Sequence, residues 1–140
     1  MMSKRVLYVE DHPNNRLLVQ RIVQAEGLEF LAAADAETGW LTAVTHHPDL
    51  IFMDLHLPGE FTGFDLTRQL RQHPAFAQTP IIALTAFGND EAEDAALDAG
   101  CNDFLRKPAD IRQIRALLHQ YLGEPTHIVQ PGTAVPIAYL

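Results

Sequence analysis

Short apolar runs recur along the chain, and each stops at a polar or charged residue. Val6-Leu7-Tyr8-Val9 ends at Glu10-Asp11, Leu50-Ile51-Phe52-Met53 at Asp54, and Ile81-Ile82-Ala83-Leu84 at Thr85, while Phe104-Leu105 precedes Lys107-Pro108. Unbroken runs of this length predict parallel strands covered on both faces, joined by amphipathic crossover helices. The first strand is expected over residues 5–10, and Pro13 suits the first turn of a helix that carries Leu17, Leu18, Ile22 and Val23 and ends at Gly27. A second strand over residues 28–33 precedes Asp35, an N-cap for a helix carrying Trp40, Leu41 and Val44 towards His46-His47-Pro48. Residues 49–53 form the third strand, Pro58-Gly59 opens a loop, and Phe64, Leu66 and Leu70 mark a helix over residues 64–73. Pro80 starts the fourth strand. Gly88-Asn89-Asp90-Glu91 leads into an alanine-rich acidic helix stopped by Gly100. A fifth strand over residues 103–105 and a last helix from Asp110, carrying Ile111, Ile114, Leu117, Leu118 and Tyr121 up to Gly123, complete the pattern.

Five strands alternating with five helices predict one α/β doubly wound domain over residues 1–123, with no internal repeat. At 140 residues and 47% apolar content, one core is the natural expectation. Residues 124–140 differ, with Pro125, Pro131 and Pro136 and one charged residue, Glu124; they read as a tail without an output domain. Its apolar end, from Ala134 to Leu140, suits either a free terminus or a segment that folds back or joins a partner's surface.

A formal charge of -8 with no basic patch argues against direct nucleic-acid binding. No run approaches the ~18 apolar residues of a membrane span, and the amino end lacks a signal-peptide core, so a cytoplasmic protein without membrane contact is expected. The single cysteine, Cys101, excludes an internal disulfide or a cysteine-based zinc site. None of the seven histidines shows metal-ligand spacing, and His46-His47 reads as a solvated helix end.

Parallel sheets bind ligands at the carboxyl ends of their strands. That rim gathers Glu10, Asp11, Asp54, Thr85 and Lys107, a set suited to a divalent cation and a phosphoryl group. Taken singly, the acids can be helix caps or solvated loop charges, Thr85 a strand end, Lys107 a surface lysine and Phe104 a core residue. Their placement on one rim distinguishes them.

The chain resembles the receiver domain of two-component response regulators, of the stand-alone kind typified by chemotaxis regulators. The resemblance covers roughly residues 4–122 and is carried by Val9-Glu10-Asp11, Met53-Asp54-Leu55-His56-Leu57-Pro58-Gly59, Leu84-Thr85-Ala86 and Lys107-Pro108. It implies a flavodoxin-like five-stranded parallel sheet of order 2-1-3-4-5 flanked by five helices. Asp54 is then the phosphoacceptor. Magnesium, or manganese in its place, is held by Glu10, Asp11, Asp54 and the backbone carbonyl of His56, while Thr85 and Lys107 contact phosphoryl oxygens and Phe104 is a switch aromatic coupled to Thr85. With strands one and three adjacent, Asp11 and Asp54 would lie side by side. Two unit charges ~4 Å apart at an effective dielectric of ~20 repel by about 4 kcal/mol, a cost a divalent cation reverses.

The implied donor is a histidine kinase or a histidine phosphotransfer protein. The implied output is a downstream protein target, bound through the helix of residues 91–99, the fifth strand and the helix of residues 111–121. A monomer or weak dimer is expected, acting as a phosphoacceptor that promotes only its own phosphorylation and dephosphorylation. His56, two residues past Asp54, and Phe87, two past Thr85, are candidates for tuning the phosphoaspartate lifetime; exposed loop residues are the plainer reading. Between Pro58 and Gly63 stand Gly59, Glu60, Phe61 and Thr62, one residue more than the usual receiver pattern. Rival readings are a phosphorylation-independent binding module, a receiver excised from a hybrid kinase or longer regulator, and an aspartyl-phosphate phosphatase. The last lacks a second acid, since His56 stands where such enzymes place it.

Overall fold

The structure, a computed structural model, describes residues 3–86 and 89–123. Strands β1 (Arg5–Val9), β2 (Glu29–Ala33), β3 (Leu50–Met53), β4 (Ile81–Thr85) and β5 (Asp103–Arg106) alternate with helices α1 (Pro13–Ala25), α2 (Ala36–His46), α3 (Gly63–Gln72), α4 (Asp90–Ala99) and α5 (Ile111–Leu122). All strand pairs are parallel, in the order β2-β1-β3-β4-β5. This is the doubly wound, flavodoxin-like arrangement expected from the sequence.

The unbroken apolar runs have a direct cause. Leu7, Val9, Ile51, Met53, Ile81 and Ala83 pack with α2, α3 and α4 on one face, whereas Val6, Tyr8, Leu50, Phe52, Ile82 and Leu84 pack with α1 and α5 on the other. Side chains alternate between faces along a strand, so a sheet covered on both sides leaves no position for a polar residue until the strand ends. The edge strand β2 departs from this, with Glu29 and Ala32 exposed.

Helix starts follow local chemistry. Asp35 accepts from Thr38 N at 2.7 Å and caps α2. Thr62 with Asp65, and Asp110 with Gln113, form reciprocal capping boxes on α3 and α5. Pro13 occupies the first turn of α1, as expected.

Some details differ from the sequence reading. Of the apolar positions expected to mark α1, Ile22 and Val23 turn inward with Val19, while Leu17 and Leu18 are exposed. Asp49 falls before β3, and its carboxylate takes the Arg5 N–H at 2.8 Å. A short 3₁₀ turn, Pro74–Phe76, was not foreseen; it buries Phe76. At the amino-terminal end of the sheet, Arg71 donates to the carbonyls of Gly100, Phe76 and Thr79 and to Asn102 Oδ1, all at 2.7–2.8 Å. Among the described residues no helix is long and apolar enough to cross a membrane. The expected tail of residues 124–140 lies outside the described residues.

Candidate phosphoacceptor site

The central strands stop at one rim, and the polar residues beyond them meet there. The ladder runs one step past β1 and β3, with Asp54 N donating to Val9 O at 3.0 Å, and Glu10 N donates to Ala33 O at 2.8 Å. These bonds fix the backbones of both acids. One carboxylate oxygen from each of Glu10, Asp11 and Asp54 lies within 4.8 Å of the others. Glu10 and Asp54 are only 1% and 6% exposed, whereas Asp11 faces solvent.

Lys107 closes the cluster from the far side. Its Nζ lies 2.8 Å from Glu10 Oε1 and 3.2 Å from Asp54 Oδ2, and its backbone N–H donates to Thr85 O at 2.8 Å. Thr85, the last residue of β4, is fully buried. The His56 N–H donates to Asp54 Oδ1 at 3.1 Å, while the His56 side chain is exposed. Phe104 is half-buried against the core on the α2–α4 face. The structure thus brings Glu10, Asp11, Asp54 and Lys107 together, with Thr85 joined through the Lys107 backbone. Phe87 lies outside the described residues.

The electrostatics are asymmetric. Burial, then the proximity of Asp54, pushes the Glu10 carboxyl up to about 7, against the hydrogen bonds from Lys107 and Asn15. Burial also raises Asp54, but its hydrogen bonding with Glu10 and the His56 backbone, together with the Lys107 charge, outweighs this and holds it below the ordinary range. Among the described residues, Glu10 Oε2 and the Tyr8 hydroxyl are buried without a hydrogen-bond donor or partner of their own. Burial, with the acids nearby, raises the Tyr8 phenol, so it remains neutral.

The donor set is chemically coherent. Three carboxylates on one rim, one with an orphaned buried oxygen, offer the hard oxygen ligands that magnesium, manganese or calcium require.

Two contacts escaped the sequence reading. Asn15, on the first turn of α1, donates to Glu10 Oε1. Gly63, at the start of α3, packs against the Asp54 backbone so closely that a Cβ there would lie 2.1 Å from the Asp54 carbonyl oxygen. The only sequence signal for either was position, a polar residue five after Glu10 and a glycine following the loop that lies beyond Asp54. In the loop between Asp54 and α3, Gly59 takes a positive φ of 96°, and Phe61 is exposed.

Comparison with known proteins agrees with this geometry. The chain is 32% identical to the polar-differentiation response regulator DivK of Brucella ovis over 123 residues, which covers 88% of this chain and 99% of that protein. A putative response regulator from Chloroflexus aurantiacus superposes with a TM-score of 0.82 at 29% identity, covering 88% of this chain and 100% of the other. The receiver domain of sensor histidine kinase PA1611 from Pseudomonas aeruginosa, described with a magnesium ion coordinated in its active-site cleft, gives a TM-score of 0.79 at 30% identity, with coverage of 88% and 100%. The family model of the response regulator receiver domain matches residues 6–119, and the chain belongs to that family.

Proposed function

We propose that this chain is a phosphoacceptor signalling module in which Asp54 takes a phosphoryl group from a partner's phosphohistidine. The observation that carries this reading is the bridge from Lys107 Nζ to both Glu10 and Asp54, with a third acid within 4.8 Å. A carboxylate held below its ordinary range is ionised at neutral pH and ready to act as a nucleophile. An Asp54 oxygen attacks phosphorus, a P–O bond forms, the P–N bond to the donor imidazole breaks, and the imidazole leaves with its electron pair and takes up a proton.

Little covalent chemistry remains beyond positioning and charge neutralisation. Glu10, Asp11 and Asp54 would hold magnesium or manganese, with the His56 carbonyl as a further ligand. When bound, that ion supplies positive charge opposite the transferring phosphoryl oxygens. Lys107 supplies the protein's own cation and exchanges an acid partner for a phosphoryl oxygen. Thr85 donates its hydroxyl to another phosphoryl oxygen. Phe104 responds to that movement, and His56, with Phe87, sets how readily water reaches the phosphoaspartate. The donor is a histidine kinase or histidine phosphotransfer protein, and the output is a changed surface offered to a protein target. Phosphorylation shifts that surface only as far as its differential contacts with the two states allow.

Intact mass after incubation with acetyl phosphate and magnesium tests the acceptor. A metal-dependent gain of ~80 Da in the wild type and none in Asp54→Asn is the expected result, one phosphoryl group per chain. An equal gain in the variant would overturn the assignment.

A further inference from the structure

Glu10 is gripped from α1 at two points. Asn15 Nδ2 donates to Glu10 Oε1, and Arg16 Nη1 donates to the Glu10 main-chain carbonyl at 2.8 Å. Lys107 Nζ reaches the same Oε1 at 2.8 Å. Two side-chain donors therefore converge on one carboxylate oxygen, and the other, Oε2, is buried in a residue 1% exposed and receives no N–H donor among the described residues. A buried acceptor without a partner is unfavourable, and a carboxylate free to turn would relieve it. The pair of donors on Oε1 opposes that turn.

We propose that Asn15 is a positioning residue for the divalent cation: it fixes Glu10 through Oε1 and so presents Oε2 as a preformed ligand. The inference rests on the reading of Glu10, Asp11 and Asp54 as the metal site. Asn15 touches neither the ion nor the phosphoryl group; it acts through Glu10. Its role should therefore be felt most by an ion that is strict about geometry. Magnesium demands a near-ideal octahedron with short bonds, whereas calcium accepts six to eight oxygens at longer and more variable distances. A loosened Glu10 penalises magnesium more than calcium. A loss of charge or of fold would weaken both alike.

The test is titration calorimetry of the full chain with magnesium and with calcium, on the wild type, Asn15→Leu and Asn15→Gln, with melting of each metal-free protein. Leucine shares asparagine's branched heavy-atom skeleton but has no donor. Asn15 borders a cavity of about 390 Å³ between α1 and α5, so either replacement has room. We expect the magnesium Kd of Asn15→Leu to rise about tenfold, equivalent to ~1.4 kcal/mol, while calcium changes by about twofold or less. Asn15→Gln, which keeps an amide donor, should recover most of the magnesium affinity. Unchanged magnesium binding in Asn15→Leu, an equal loss of both ions, or no recovery in Asn15→Gln would each overturn the role. If Asn15→Leu fails to fold, Asn15→Ala makes the same comparison. A wild type that binds neither ion would overturn the metal site itself, an outcome visible before any variant is measured.

Discussion

The two ends of the sheet each hold a cation among oxygens, and they treat it in opposite ways. At the amino-terminal end Arg71 serves four acceptors, three of them main-chain carbonyls, and ties the end of α3 to the segments that enter β4 and β5. Each of the four acceptors has its donor, as is usual for buried polar groups. At the carboxyl-terminal end Lys107 faces two buried acids with a third nearby, and Glu10 Oε2 receives no N–H donor among the described residues. There the charges outnumber their compensation. One rim is a structural joint; at the other, three carboxylates beside one lysine form a donor set that suits a divalent cation.

The comparison breaks most severely where the two roles coincide. In Gly63→Ala the new Cβ would meet the Asp54 carbonyl oxygen at 2.1 Å and Leu55 Cα at 2.8 Å, both backbone atoms that cannot swing away. We expect a loss of about 3 kcal/mol, the upper end of overpacking costs, together with slowed acetyl-phosphate reactivity, because Asp54 itself must shift. Urea unfolding beside phosphorylation kinetics would show whether the two fall together.

Arg71→Met should cost about 2 kcal/mol by stranding the acceptors at the amino-terminal rim. Phosphorylation of the folded protein should be unchanged. A phosphorylation defect at full occupancy of the folded state would show that the two rims are not independent.

The smallest effect has the opposite sign. Because the Glu10 carboxyl is raised from 4.5 to about 7 in the folded state, its neutral form supplies stability that is full below pH 4.5 and lost as pH rises through about 7. Glu10→Gln removes the charge that is costly to bury, so at pH 8 the metal-free variant should be more stable than the wild type by about 1–2 kcal/mol, and at pH 4 no more stable. Magnesium affinity of the wild type should climb over the same interval as Glu10 gives up its proton, and Glu10→Gln should lack that climb. Urea midpoints and magnesium titrations at both ends of the range check each sign.

What the sequence revealed follows from the same physics. Strands buried on both faces interrupt their apolar runs only where they stop, so Glu10, Asp11, Asp54 and Thr85 stood out as the first polar residues after β1, β3 and within the end of β4. The sheet order placed them on a common rim. Contacts made by ordinary-looking helix residues were not legible. Asn15 is one of two adjacent asparagines in α1, and Arg71 one of two arginines in α3; only tertiary approach singles out either. Three consecutive apolar residues, Leu17, Leu18 and Val19, gave no means of choosing which turns inward, and the structure buries Val19 alone. The 3₁₀ turn at Pro74–Phe76 is set by Phe76 reaching the core and its aromatic neighbours Trp40, His47 and His73, a long-range demand on a short segment.

The bridge made by Lys107 joins residues 97 and 53 positions away along the chain. As the protein is synthesised, Glu10 and Asp54 emerge first and belong to adjacent strands, while the lysine that balances them follows only after the edge strand β5. A ribosome adds roughly 5–20 residues per second, so the acids wait several seconds for their counter-charge. Acceptor chemistry of the kind proposed therefore waits on Lys107, and with it on the last strand of the sheet.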